Sequence, residues 1–256
     1  MSLSDYGSAL VTGASSGIGT ALVRALTERG IKTYALARRR KRLDALAAET
    51  GCTPLVVDLR DKEEIDRALA ELDVDILINN AGHGRSEGPL HQADVNAIYD
   101  MIQTNVSSVL HLVRAISPRL VARRQGHIVM IGSVAGLHPI KASVYGATKG
   151  AIHLLCQNLR IELVGTGVRV TEICPGRVRT EFFEHAFGIA QGRELTGGFT
   201  LLEPEDIASA VVHALDAPQR VNITTVEMTP TEQAVGGLQI VGSGNTAPDH
   251  GSLTKR

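Results

Sequence analysis

The chain has 256 residues, 43% of them hydrophobic, enough for one large α/β domain or two small ones with ample core. Lys and Arg number 26 against 27 Asp and Glu, a net charge of -1, so no basic surplus points to nucleic acid and no acidic surplus to a solvating tail. Aromatics are only 3% with no Trp, which argues against stacking platforms for single strands, and three widely spaced cysteines (Cys52, Cys156, Cys174) fit neither a disulfide framework nor a zinc knuckle.

The cysteines read as reduced core residues of a cytoplasmic protein. Residues 1–8 are short and polar, unlike a signal or transit peptide. No apolar run approaches the ~20 residues that span a bilayer. No internal repeat of solenoid period is visible, and none of the nine histidines forms a metal-spaced cluster with cysteine, so no metal site is expected.

An apolar run at 8–11 predicts a short buried strand. It enters Thr12-Gly13-Ala14-Ser15-Ser16-Gly17-Ile18-Gly19, and an apolar-periodic helix follows to about residue 28. Strand, glycine-rich turn and helix together make a candidate phosphate site spanning Gly13, Ser15, Ser16, Gly17, Ile18 and Gly19. Gly13 permits the tight turn, Gly17 admits a pyrophosphate to the backbone, and Gly19 lets helix pack on strand. The helix N-terminus then offers N–H groups and a positive dipole end to the anion. The bland alternative is an ordinary strand-to-helix turn.

The second strand, 31–37, ends without Asp or Glu; Ala37 is followed by Arg38-Arg39-Arg40-Lys41-Arg42. A carboxylate there would read a ribose 2′-hydroxyl, whereas a 2′-phosphate suits guanidinium forks, so Arg38 and Arg39 point to NADP rather than NAD. Residues 40–42 are equally readable as a solvated helix start. That helix runs to about residue 49. A strand at 54–57 ends at Asp58 and Leu59, where adenine could be met. A helix over 61–72 has Asp61 as its N-cap, and a strand over 74–78 closes in Asn79-Asn80-Ala81-Gly82.

After a polar loop at 83–94, residues 95–123 carry one long helical pattern that Pro118 is expected to bend or end. Asn105 lies inside it, either as a surface residue or as an amide holding a water at a local irregularity. The strand at 126–131 places Ser133 just past its carboxyl end, where ligands of open α/β sheets bind. A helix from about 143 to 164 carries Tyr145 and Lys149, four apart and so on one face. A fixed ammonium beside a phenol favours phenolate and draws its pKa down from about 10, which suits a proton donor to a nascent alkoxide. Taken alone, the pair could also be a surface tyrosine resting on a lysine stem.

A strand at 168–173 runs into Cys174-Pro175-Gly176-Arg177-Val178-Arg179-Thr180. An irregular stretch at 181–203, rich in Gly and Phe, reads as a lid or as a surface insertion. A helix with Pro204 at N1, a last strand at 221–228 and a Gly/Ser-rich tail at 236–256 complete the chain. Alternating strands and helices, about seven of each, predict a single-domain, Rossmann-type doubly wound parallel sheet over 1–235.

These residues together resemble the short-chain dehydrogenase/reductase family. The matches are Thr12-Gly13 with Gly17-Ile18-Gly19, Asn79-Asn80-Ala81-Gly82, Asn105, Ser133, Tyr145 with Lys149, and Pro175-Gly176 with Thr180, in family order over about residues 8–230. One departure is visible: the loop between Ser133 and Tyr145 is a residue shorter than is commonest there. The resemblance implies an NADP(H)-dependent oxidoreductase of alcohols and carbonyls. Tyr145 would be its acid/base, Lys149 would hold the nicotinamide ribose and lower the tyrosine's pKa, Ser133 would hold the substrate oxygen, and Asn105 would anchor a relay water. It further implies cofactor contacts at Asn80, Gly82, Pro175, Val178 and Thr180, with Asp58 and Leu59 framing the adenine, and a homotetramer or homodimer.

Within the family, residues 144–149, Arg38-Arg39, 204–207 and 221–230 with Gln233 look like the branch of NADP-dependent 3-hydroxy acid (serine) dehydrogenases. That implies a small acidic substrate, which Arg177, Arg179 or Arg193 could read unless they are merely solvated. The alternatives are a reductase of bulkier secondary-metabolism carbonyls and a non-catalytic NADP-binding sensor.

Overall fold

The computed structural model describes residues 3–85 and 89–234; the expected tail at 236–256 lies outside the described residues. Seven strands form one sheet: β1 (Ser8–Thr12), β2 (Lys32–Ala37), β3 (Thr53–Val56), β4 (Ile76–Asn79), β5 (Gly126–Ile131), β6 (Val168–Pro175) and β7 (Thr225–Met228). Their order is β3-β2-β1-β4-β5-β6-β7, and every pairing is parallel. This is the expected Rossmann-type α/β fold.

The helices are α1 (Gly17–Thr27), α2 (Arg40–Thr50), α3 (Lys62–Leu69), α4 (Val95–Ile102), α5 (Ser108–Arg123), α6 (Val134–Leu137), α7 (Ser143–Glu162), α8 (Phe182–Phe187), α9 (Ile189–Thr196) and α10 (Pro204–Asp216). Side chains alternate across a strand, so each central strand supplies both faces of the sheet. Val11, Ile76, Ile78, Val129 and Ile131 join one core with α1 and α10. Leu10, Leu77, Ile128 and Met130 join the other with α3, α5 and α7. Helices on both faces explain why β5 and β6 are buried along their whole length, the polar His127, Arg169, Thr171 and Glu172 included.

Several boundaries differ from the sequence reading. The single helix expected over 95–123 is interrupted by a π turn at Gln103–Ser107. Pro118 does not end it: α5 continues past, because Ile116 and Leu120 on either side are buried against the sheet and outweigh one missing N–H. The stretch taken as irregular forms α8 and α9, and only Thr225–Met228 of the last strand pairs with β6. No helix among the described residues is long and apolar enough to cross a membrane.

Candidate active site

Strand order reverses between β1 and β4, and the crevice at the carboxyl end of such a switch point is where open α/β sheets bind ligands. Thr12 ties the two strands together there. Its hydroxyl accepts the backbone N–H of Asn80 and of Ala81 (3.0 Å each), and Asn80 Nδ2 donates to the Thr12 carbonyl at 2.9 Å. Gly13 turns the chain at φ 65, and a Cβ on it would lie 2.9 Å from the Ala81 Cα. A Cβ on Gly19 would collide with the Gly13 carbonyl oxygen, so the turn and α1 close only without side chains. Ser16 is the N-cap of α1, yet its side chain makes no cap bond and instead accepts from Arg39. That leaves the first turn's N–H groups and dipole turned toward an anion, so the cradle fits a dinucleotide pyrophosphate.

A cavity of about 1070 Å³ runs from this turn past the end of β5 to α8. It is lined by every catalytic and cofactor-binding residue expected from the sequence except two. Gly19 stands behind the turn. Asn105, 2% exposed, stands behind the wall in the π turn. Its amide is engaged with protein: Nδ2 donates to the His83 carbonyl (2.9 Å) and the Thr148 hydroxyl (3.1 Å), and Oδ1 accepts from the His83 N–H at 3.0 Å. The side chain therefore fixes the backbone after Gly82 to α7, from the local helix irregularity that one of its two sequence readings placed it at and not from the surface.

At the cavity floor Ser133 caps α6 by accepting from the Ala135 N–H at 3.1 Å, and its hydroxyl also hydrogen-bonds Tyr145. Lys149 is buried, lies 5.9 Å from the centre of the Tyr145 ring and donates to the Ile131 carbonyl at 2.8 Å. Burial pushes the Tyr145 phenol up to about 12, and the Ser133 hydrogen bond counters it only in part. Burial also pushes the Lys149 ammonium down to about 8. Desolvation is thus the dominant influence on the phenol and sets it above its ordinary value, against the lowering expected from Lys149.

The arginines sort by geometry. Arg39 folds back onto the glycine-rich turn, with Nε donating to Ser15 Oγ (2.9 Å) and Nη2 to Ser16 Oγ (2.5 Å). Arg38 also lines the cavity but is 65% exposed, with Asp58 4.0 Å away; Asp58 itself pairs with Arg60 at 2.7 Å. Arg42, read as solvated, joins Arg39 in holding Glu181. The signal was its spacing, one helical turn after Arg39. Near α8, Arg177 lines the cavity with its guanidinium 5.4 Å from the ring centre of Phe183 and 5.5 Å from that of Phe199. Arg179 is paired outside with Glu203 (2.7 Å), and Arg193, 74% exposed, with Glu184 (3.3 Å). Phe182, within the stretch read as a lid, packs on Tyr145, a contact that no local pattern announces. No metal-binding group of His, Cys, Asp or Glu exists among the described residues.

Glycine turn, serine, tyrosine and lysine thus meet in one cavity, and the sequence matches the short chain dehydrogenase family over residues 8–187. The chain belongs to that family. Its similarity extends to the NADP-dependent 3-hydroxy acid dehydrogenase YdfG of Salmonella typhi, 41% identical over 245 residues and covering 90% of this chain and 98% of that one. Among solved structures, the closed form of serine dehydrogenase complexed with NADP+ has a TM-score of 0.87 at 39% identity, covering 91% of this chain and 99% of that one. A single-substitution variant of actinorhodin polyketide ketoreductase with NADPH has a TM-score of 0.77 at 26% identity, over 89% and 97%. Within this short-chain dehydrogenase, α8 forms a cavity wall and α9 packs behind it, with a Cβ on Gly192 falling 2.7 Å from the Glu184 backbone.

Proposed function

We propose that this chain is an NADP(H)-dependent oxidoreductase that reversibly converts a small 3-hydroxy acid to the corresponding aldehyde or ketone. The observation that carries the reading is the hydrogen-bonded Tyr145 and Ser133 in the same cavity as the glycine-rich turn and Arg39. NADPH, when bound, supplies the hydride. The chain's residues bind, orient and move the proton. The turn from Gly13 to Gly19 and the α1 N-terminus hold the pyrophosphate, and Arg39 with Arg38 holds the 2′-phosphate. Asp58 and Leu59 frame the adenine, and Asn80, Gly82, Pro175, Val178 and Thr180 line the nicotinamide end.

Ser133 and Tyr145 converge on the substrate oxygen. In reduction Tyr145 gives that oxygen its phenolic proton; in oxidation its phenolate receives one. A phenol held up to about 12 is fully protonated at neutral pH, as the reductive direction needs. It still yields its proton downhill to an alkoxide, which is a far stronger base than a phenolate. Lys149, fixed by the Ile131 carbonyl, holds positive charge beside the ring as phenolate develops. Asn105 positions His83 and Thr148 around this group, and a relay water near it would return the proton to solvent.

The acidic substrate is supported by Arg177, the one cavity-lining member of the three arginines considered, and by the likeness to 3-hydroxy acid dehydrogenases. A second reading, a bulkier carbonyl, is favoured by the phenylalanine wall of Phe182, Phe183 and Phe187 and the likeness to a polyketide ketoreductase. Segment 181–203 acts as the lid. Exposed Tyr99, Ile102 and Leu110 on α4 and α5, with Leu154, Ile161 and Val164 on or just beyond α7, support assembly into a dimer or tetramer. NADP+ reduction by serine, 3-hydroxypropionate, 3-hydroxybutyrate and a hydroxyalkyl sulfonate, set against neutral alcohols of similar size, tests the substrate class. Preference for the anionic members is expected, and preference for bulky neutral alcohols would move the protein to the second reading.

A further inference from the structure

Arg39, proposed to read the 2′-phosphate, already holds an anion of the protein's own, with Arg42 one helical turn on sharing it. Glu181 Oε2 accepts from Arg39 Nη1 at 3.0 Å, and both of its oxygens accept from Arg42 Nη1, at 2.8 and 2.9 Å. Burial alone would raise this carboxyl's pKa, but the hydrogen bonds from Arg39 and Arg42 outweigh it and hold the group below the usual carboxylate range. It is therefore ionised wherever the enzyme works. A phosphate dianion approaching the same guanidiniums meets like charge at close quarters, and both cannot keep the same donors.

Glu181 is also the middle of a strap. Thr180 before it presses on the glycine-rich turn: a Cβ on Gly17 would sit 2.7 Å from Thr180 Cγ2. Phe182 after it packs on the Tyr145 ring with centroids 5.4 Å apart. Three consecutive residues thus touch the pyrophosphate turn, the arginine pair and the acid/base. Displacing the middle one loosens the other two.

We propose that Glu181 is a displaceable stand-in for the cofactor's 2′-phosphate, so that a 2′-phosphorylated nucleotide releases the strap over Gly17 and Tyr145 and an unphosphorylated one does not. The proposal rests on the NADP reading above. A phosphate dianion carries more charge and more acceptor oxygens than the carboxylate and wins the exchange for Arg39 and Arg42. The ribose hydroxyls of NAD(H) cannot make that exchange, so Glu181 keeps its arginines and the strap stays pinned. Glu181 then sets cofactor choice twice, by competing for the arginines and by controlling access to the catalytic ring.

Calorimetry on the full chain with 2′,5′-ADP and 5′-ADP, which lack the nicotinamide, separates these effects from turnover. Glu181→Gln keeps the shape and removes the charge. It is expected to tighten 2′,5′-ADP about tenfold and to leave 5′-ADP within about twofold. Hydrogen exchange of residues 180–187 should rise in the wild type with 2′,5′-ADP but not with 5′-ADP, and should be high in Glu181→Gln without nucleotide. Unchanged or weakened 2′,5′-ADP binding in Glu181→Gln would overturn the proposal, as would strap exchange that ignores the 2′-phosphate. Equal wild-type affinity for the two nucleotides would instead sink the NADP reading, and the proposal with it.

Discussion

Phe182 lies against Tyr145, ring centroids 5.4 Å apart and planes inclined at 53°, so the first residue of α8 forms a ceiling over the Tyr145 phenol. The contact dries the ring and contributes to the burial that holds its proton. A tilted aromatic pair is worth about 0.5–1.5 kcal/mol beyond its area. Phe182→Ala is therefore expected to raise the substrate KM and to lower the Tyr145 pKa seen in the pH–rate profile, while NADPH affinity changes less than about threefold. Steady-state kinetics across pH, with fluorescence titration of NADPH, measures both.

Arg39 and Arg38 are unequal. Arg39 is oriented by two serine hydroxyls on the glycine-rich turn, whereas Arg38 is mostly solvated. Arg39→Gln should weaken NADPH about tenfold or more with little effect on NADH, and Arg38→Gln should do the same more mildly. Parallel loss of both cofactors in either variant would show that the arginine does not read the 2′-phosphate.

Arg177 is held between Phe183 and Phe199 at the cavity wall. Arg177→Met preserves the packing and removes the charge. The expected result is a KM for a 3-hydroxy acid raised about tenfold, with a neutral alcohol of the same length altered no more than about twofold. Equal changes for both substrates would assign the arginine to packing alone.

Burial holds Lys149 at about 8 against an ordinary 10.5, while Cys174, Glu172 and Cys156 pull weakly the other way. Between those two values the unfolded chain carries a proton that the folded chain has released, so this residue's contribution to stability rises with pH across that window. Below about pH 8 the burial penalty is present in full. Tyr145 has the opposite sign: raised from 10.0 to about 12, it keeps its proton in the fold and its contribution falls only above pH 10. Urea unfolding of the wild type against Lys149→Met should show the wild type gaining relative stability between about pH 7 and about pH 9.5. A constant difference would contradict the burial argument.

Much of this was readable along the chain because its causes are local. Gly13 and Gly19 announce a turn that a Cβ would obstruct, and Asp61 caps α3 as its spacing predicts (its side chain accepting from the Glu64 N–H at 2.9 Å). What was not readable is tertiary. Phe182, Arg42 and Glu181 matter through partners far along the sequence, and Pro118 survives inside α5 through core packing. The pull of Lys149 on Tyr145 was argued from spacing on one helix face, but the dryness that opposes it depends on what folds over the pair from β5, β6 and α8.

The central claim is that Tyr145 moves the proton. Its most direct test is Tyr145→Phe, assayed for NADP+ reduction with the wild type's preferred alcohol and titrated with NADPH. Turnover is expected to fall by about three orders of magnitude or more while NADPH affinity stays within about threefold. Turnover at the wild-type rate with intact NADPH binding would contradict the account.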